Sequence, residues 1–105
     1  LLEAAACGLP VCATNWSAHT EFLNLGEWTK VRGRVEPIPS RKIDQRIWVE
    51  GSSWAVPDLN ETRKVLHKFV SNDKPDTSKL KKNVLATYSF EKIADLYDKF
   101  WRRWS

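Results

Sequence analysis

The first fourteen residues constrain the fold most. Leu1-Leu2-Glu3-Ala4-Ala5-Ala6-Cys7 is rich in Ala and Leu, the best helix formers, and stops at Gly8, the residue expected just past a helix end. Pro10 then opens Val11-Cys12-Ala13-Thr14, a short apolar run between breakers, which predicts a buried strand. A helix, a Gly-x-Pro turn and a buried strand make one αβ unit of an open parallel sheet. Such a strand needs parallel neighbours on both sides.

The rest of the chain supplies few of them. From Trp28 to Ile38 the pattern has period two: Val31, Gly33 and Val35 alternate with Arg32, Arg34 and Glu36, and Pro37 and Pro39 end the run. Residues 39 to 46 are polar and predict a loop. Ile47-Trp48-Val49 predicts a second short strand that pairs back as a hairpin, followed by the breaker Gly51-Ser52-Ser53. One long strand and one hairpin do not make a sheet that stands alone.

Helices dominate elsewhere. Ser17 is placed to cap a short helix from Ala18 to Leu23 or Asn24. Pro57-Asp58 starts the clearest helix, with Asp58 and Glu61 at capping-box spacing and Leu59, Thr62, Val65, Leu66, Phe69 and Val70 on one face. Asn72 to Pro75 breaks it. A shorter helix follows Asp76, with Leu80, Val84, Leu85 and Tyr88 on its face. Ser89 caps the last helix, where Ile93, Leu96, Tyr97, Phe100, Trp101 and Trp104 recur while Asp95, Asp98, Lys99, Arg102 and Arg103 face away. The expected class is therefore α/β with a helix-rich C-terminal half. The pattern predicts the last third of a doubly wound domain, whose other strands would lie upstream of Leu1.

Composition excludes several classes. A length of 105 residues allows one domain or a piece of a larger one. The opening Leu1-Leu2-Glu3 and the lack of Met suit a segment of a longer reading frame. Apolar residues at 42% argue against disorder. No stretch approaches the ~18 apolar residues of a membrane-spanning helix, and no charged segment leads into an apolar one as in a signal peptide. The net charge of +4 is spread over Arg41-Lys42, Lys79-Lys81-Lys82 and Arg102-Arg103. That is a solvated basic surface rather than a nucleic-acid stripe. Cys7 and Cys12 sit among small or apolar residues and predict buried free thiols in a reducing compartment, the cytoplasm. No metal-ligand cluster, phosphate loop or Ser-His-Asp arrangement stands out. His67 reads as a surface residue.

The stretch Leu2-Glu3-Ala4-Ala5-Ala6-Cys7-Gly8-Leu9-Pro10-Val11 resembles a motif of the retaining glycosyltransferases of family 4, enzymes of two Rossmann-like domains (the GT-B fold). In that family a helix carrying Glu-Ala-x-Ala-Cys/Ser-Gly-x-Pro-Val follows a Gly-rich loop, and its Glu is the second of a Glu-x7-Glu pair. Further along, Ala13-Thr14-Asn15-Trp16-Ser17-Ala18-His19-Thr20-Glu21-Phe22-Leu23 is similar to the next loop and helix. Trp54-Ala55-Val56-Pro57-Asp58 is similar to the opening of a late helix, and Tyr88-Ser89-Phe90-Glu91-Lys92-Ile93-Ala94 to the start of the terminal one.

The resemblance implies that residues 1–105 are part of the C-terminal, donor-binding domain, with the N-terminal acceptor domain outside the segment. It implies transfer of a hexose from a UDP- or GDP-sugar to a sugar, lipid or protein acceptor, with retention and without a metal or other cofactor. Glu3 would bind the ribose hydroxyls of the donor, a role that suits a carboxylate in a helix's first turn. Leu2, His19 and Glu21 are further donor-cleft candidates. The plainer alternatives are a helix-start role for Glu3, His19 and Glu21. No catalytic residue falls within the segment, which is expected to be inactive alone. In the family the apolar face of the terminal helix packs partly on the other domain. The alternative function is a non-catalytic α/β binding or adaptor module that kept the fold and lost the reaction, docking through its basic, Trp-rich end.

Overall fold

A computed structural model describes residues 1–71 and 74–105. In chain order the elements are α1 (Leu2–Ala6), β1 (Cys12–Thr14), α2 (His19–Leu23), β2 (Thr29–Val31), β3 (Gly33–Pro37), a 3-10 turn (Ser40–Lys42), β4 (Ser53–Pro57), α3 (Leu59–Val70), α4 (Ser78–Tyr88) and α5 (Phe90–Trp104). The class is mixed α/β, with helices over about half of the chain. Two compact units result: Leu1–Val11, Ser17–Thr29 and Lys74–Ser105 form the first, Cys12–Trp16 and Lys30–Asp73 the second.

In the first unit α1 ends as its composition dictates. Gly8 takes φ +80°, a left-handed conformation that a side chain resists. The amides of Gly8 and Leu9 donate to the carbonyls of Ala5 and Ala4 at 3.1 and 3.0 Å. The Thr77 hydroxyl then donates to the Gly8 carbonyl at 2.8 Å, which ties the turn to the start of α4. Ala5, Leu23, Leu80 and Val84 are buried between α1, α2 and α4. Gly26 permits the closest approach: a Cβ there would lie 2.5 Å from the Leu80 backbone. Asn83 Nδ2 donates to the Leu25 carbonyl at 2.6 Å beside it.

The start of α2 corrects the expectation for Ser17. Its N-cap position is Ala18, without a side-chain cap, and Ser17 adopts φ +76°. The Ser17 carbonyl, not its hydroxyl, serves the first turn, accepting from Thr20 N and Thr20 Oγ1 at 3.1 and 2.7 Å. At the other end of this unit Ser89 caps α5 as expected, its Oγ accepting from Lys92 N at 3.3 Å. The apolar face of α5 is exposed from Leu96 to Trp104.

In the second unit β1 lies beside β2. The bonds from Thr29 N to Val11 O and from Asn15 N to Val31 O advance in the same direction along both strands, so the pair is parallel. Val11 is buried, but all three residues of β1 are half-buried, which corrects the expectation of a fully buried strand. A parallel strand loses water from both faces only when layers cover both, and β1 has one hydrogen-bonded neighbour among the described residues.

The period-two run from Trp28 to Ile38 is two strands, not one. It breaks at Arg32, and β3 pairs antiparallel with β4, from Gly33 opposite Pro57 to Pro37 opposite Ser53. Ile47-Trp48-Val49, expected to be the hairpin partner, is not a strand. The Asp44 carboxylate captures that segment instead, accepting from the amides of Arg46, Ile47 and Trp48 at 3.0, 3.0 and 2.9 Å. The strand starts six residues later, and Ser53, read as a breaker, begins it.

The start of α3 follows expectation in part. Asp58 is its N-cap, with Oδ1 accepting from Glu61 N at 2.8 Å. Along its apolar face Val65 and Phe69 are half-buried, while Leu59 and Val70 are over 80% exposed. Of the break expected from Asn72 to Pro75, Asn72 and Asp73 lie outside the described residues.

Candidate functional site

Glu3 sits in the first turn of α1 with its side chain exposed. That position follows from the sequence around it. Ala4, Ala5 and Ala6 leave no bulk on the helix, Ala5 turns into the core at 1% exposure, and Glu3 points outward. Leu2, next to it, is half-buried. The carboxylate therefore lies outside the apolar core and within reach of a ligand from solvent.

The other candidates occupy the first turn of α2, which packs against α1. His19 is half-buried, and its ring meets Trp28 edge to face with centroids 6.2 Å apart. Trp28 is buried, and its indole N–H donates to Asn24 Oδ1 at 3.0 Å. His19 thus helps cover Trp28, an aromatic contact with a packing role. Glu21 is exposed in the acidic first turn of α2, where a carboxylate complements the helix dipole.

Concave surface lies elsewhere, in the second unit, and sequence reasoning missed it. Arg32 interrupts the strands and is held by Glu61 at two points, Arg32 N to Oε1 at 3.0 Å and Nε to Oε2 at 2.8 Å. Asp58 N donates to the Arg32 carbonyl at 2.9 Å. The side-chain hydrogen bond from Arg32, then that from its backbone N–H, hold the Glu61 carboxyl below the usual carboxylate range. Around this pair lie a groove of about 480 Å³ that includes Arg34, Pro57 and Asn60, and another of about 500 Å³ that includes Lys64 and Lys68. A smaller concavity adds Asn15 and Lys30, and an apolar groove runs along Leu59, Leu66 and Val70 of α3. None of these four surfaces takes a residue from α1 or α2. The sequence signal was the capping-box spacing of Asp58 and Glu61. In the full box Glu61 would reach back to the Asp58 amide, but that amide is already given to Arg32, and Glu61 turns to Arg32 as well.

The cysteines also depart from expectation. Cys7 is exposed and Cys12 half-buried; both are free thiols. Cys7 follows the last helical residue, where the chain turns outward to Gly8. Burial pushes the Cys12 thiol pKa up, so it is a poor nucleophile. Among the described residues no group of three or more His, Cys, Asp or Glu side chains could hold a metal ion. Nor is any helix among them long and apolar enough to cross a membrane.

Comparison with protein-family models, with curated proteins and with solved structures gives no match for the chain.

Proposed function

We propose that this chain is the C-terminal part of the donor-binding domain of a retaining glycosyltransferase of the family 4 type. Its parent moves a hexose from a UDP- or GDP-sugar to a sugar, lipid or protein acceptor. The observation that carries the reading is the Glu3 carboxylate. It is exposed in the first turn of an Ala-rich helix that closes on a left-handed Gly8 and feeds a parallel strand pair. A carboxylate so placed accepts a hydrogen bond from each of two vicinal hydroxyls, the contact that fixes a ribose in dinucleotide-binding folds. The diphosphate, the acceptor and the groups that promote transfer then belong to chain upstream of Leu1. No metal is required in this reading. The free thiols of Cys7 and Cys12 support a reducing compartment, the cytoplasm, for the parent.

The test is made on the full-length parent. Its reading frame should carry a second Glu eight positions before Glu3 and a Gly-rich loop before that, and calorimetry should show a nucleotide sugar binding. A parent with neither feature and no donor binding overturns the proposal.

One observation favours a second reading, a non-catalytic binding module. Three concavities of the second unit are lined by Arg32, two of them also by Glu61. Lys64 and Lys68 add two ammonium groups to that surface beside the Asp58 and Glu61 carboxylates, a mixed-charge lining suited to a polar partner. A parent that lacks the upstream Glu but retains binding through this surface would favour the module.

A further inference from the structure

We infer that the carboxyl ends of β1 and β2 form a binding site for an oxyanion group, carboxylate or phosphate, of a small molecule. In an open α/β sheet, ligands gather outside the carboxyl ends of parallel strands. Here Asn15 follows the last residue of β1 and Arg32 the last residue of β2. The bond from Asn15 N to Val31 O, 3.2 Å, holds the two ends together. The concavity of about 310 Å³ at this place is lined by Asn15, Lys30, Arg32, Gly33 and Glu61, a size within the range of small-ligand sites. Lys30 and Arg32 flank the buried Val31 along the chain, so both side chains leave on the solvent face.

The lining is a set of donors. Its carboxylate, Glu61, is taken up by Arg32: Oε1 accepts from the backbone N–H and Oε2 from Nε. That grip fixes the guanidinium by one edge. It leaves the two Nη groups, which no other described residue binds, as a planar pair of donors. An arginine held in this way is preorganised for two oxygens of a carboxylate or a phosphate. Gly33 adds a backbone donor. The bonds from Asp58 N to Arg32 O and from Ile38 N to Ser52 O mark alternate residues as the bonded pairs of the β3–β4 ladder. Gly33, opposite Pro57, falls between them, so its N–H turns away from β4. Asn15 supplies a side-chain amide. Lys30 and Arg32 against Glu61 leave the lining with one positive charge in excess, which favours a single oxyanion over a neutral or cationic group.

The inference gives a ligand class to the surface behind the second reading. Its failure would remove oxyanions as the ligand and leave the Glu3 reading untouched, while the second reading is decided by binding to the parent. The test is a titration of the 105-residue chain with sodium phosphate and, separately, sodium acetate, followed by amide-resolved NMR at an ionic strength held constant with chloride. One or both anions should move the signals of the Gly33 N–H, the Asn15 side-chain amide and the Arg32 Nε–H saturably, with Kd of about 1–10 mM. The anion that binds more tightly names the group: phosphate for a phosphorylated ligand, acetate for a carboxylic acid. Arg32→Gln should weaken binding about tenfold or more. Because that change also removes the side-chain contact with Glu61, Asn15→Ala serves as a second variant; it keeps the Arg32–Glu61 grip and should weaken binding about threefold. Lys82→Gln, in the first unit, should change nothing. Shifts that do not saturate, that chloride produces equally, or that either Arg32→Gln or Asn15→Ala leaves unchanged would overturn the inference.

Discussion

Glu61 closes a two-point grip on Arg32, one carboxylate oxygen on the backbone N–H at 3.0 Å and the other on Nε at 2.8 Å. Arg32 stands where the strands β2 and β3 part, so its amide and carbonyl have lost the ladder that would satisfy them. The first turn of α3 supplies both partners, Glu61 for the amide and the Asp58 N–H for the carbonyl. A single exposed ion pair contributes little by itself. Here it also answers a main-chain donor.

Acid should therefore loosen the second unit. The Glu61 carboxyl is lowered by its bonds from Arg32, and the Asp44 carboxyl is lowered by the amides of Arg46, Trp48 and Ile47. A carboxyl lowered in the folded state stabilises it fully above the unfolded value, ~4, and loses that contribution as pH falls through the folded value. Thermal midpoints should hold steady above about pH 5 and decline below about pH 4. Glu61→Gln with Asp44→Asn should flatten that decline. A wild-type midpoint that does not move with acid would contradict the assignment.

Gly26→Ala should destabilise the chain by about 1–3 kcal/mol or more, because the added methyl meets backbone rather than a flexible side chain. Leu80→Ala, which empties a fully buried site in the same contact, should cost about 2–5 kcal/mol. Urea unfolding checks both. Since the two sites touch, their effects should not add.

The cap of α3 offers a narrower test. Asp58→Ala removes the acceptor for Glu61 N and should cost about 0.5–2 kcal/mol, while Asp58→Asn should cost much less. Equal losses for the two variants would show that the negative charge of Asp58, not its cap bond, is what matters.

What could be read from the residues was mainly local. Gly8 ended α1, Asp58 and Ser89 capped α3 and α5, and Leu80 and Val84 turned inward, because each is fixed by neighbours within a turn of helix. The strands were harder. The β-branched residues of Ile47-Trp48-Val49 favour a strand, but the Asp44 carboxylate takes three of the nearby amides and bends the segment. Ser53 looked like a breaker, yet pairing with Pro37 places it in β4. The Arg32–Glu61 contact spans 29 positions, and no pattern along the chain connects them. For the candidate site, the placement of Glu3 in a first turn followed from the sequence, whereas the role of His19 in covering Trp28 did not.

The isolated chain should unfold with poor cooperativity and transfer no sugar. It divides into two compact units, and its sheets are two-stranded. Calorimetry checks this, and one sharp transition would contradict it.

The central claim concerns Glu3, and the most direct measurement is kcat/KM for the nucleotide-sugar donor in the full-length parent, compared with Glu3→Gln at saturating acceptor. A carboxylate holding two ribose hydroxyls makes charge-assisted bonds worth roughly 1.5–3 kcal/mol each, part of which a neutral amide keeps. The substitution should therefore lower kcat/KM by about tenfold to several hundredfold. Unchanged kinetics would make Glu3 a helix-start residue only and would contradict the assignment of this chain to donor binding.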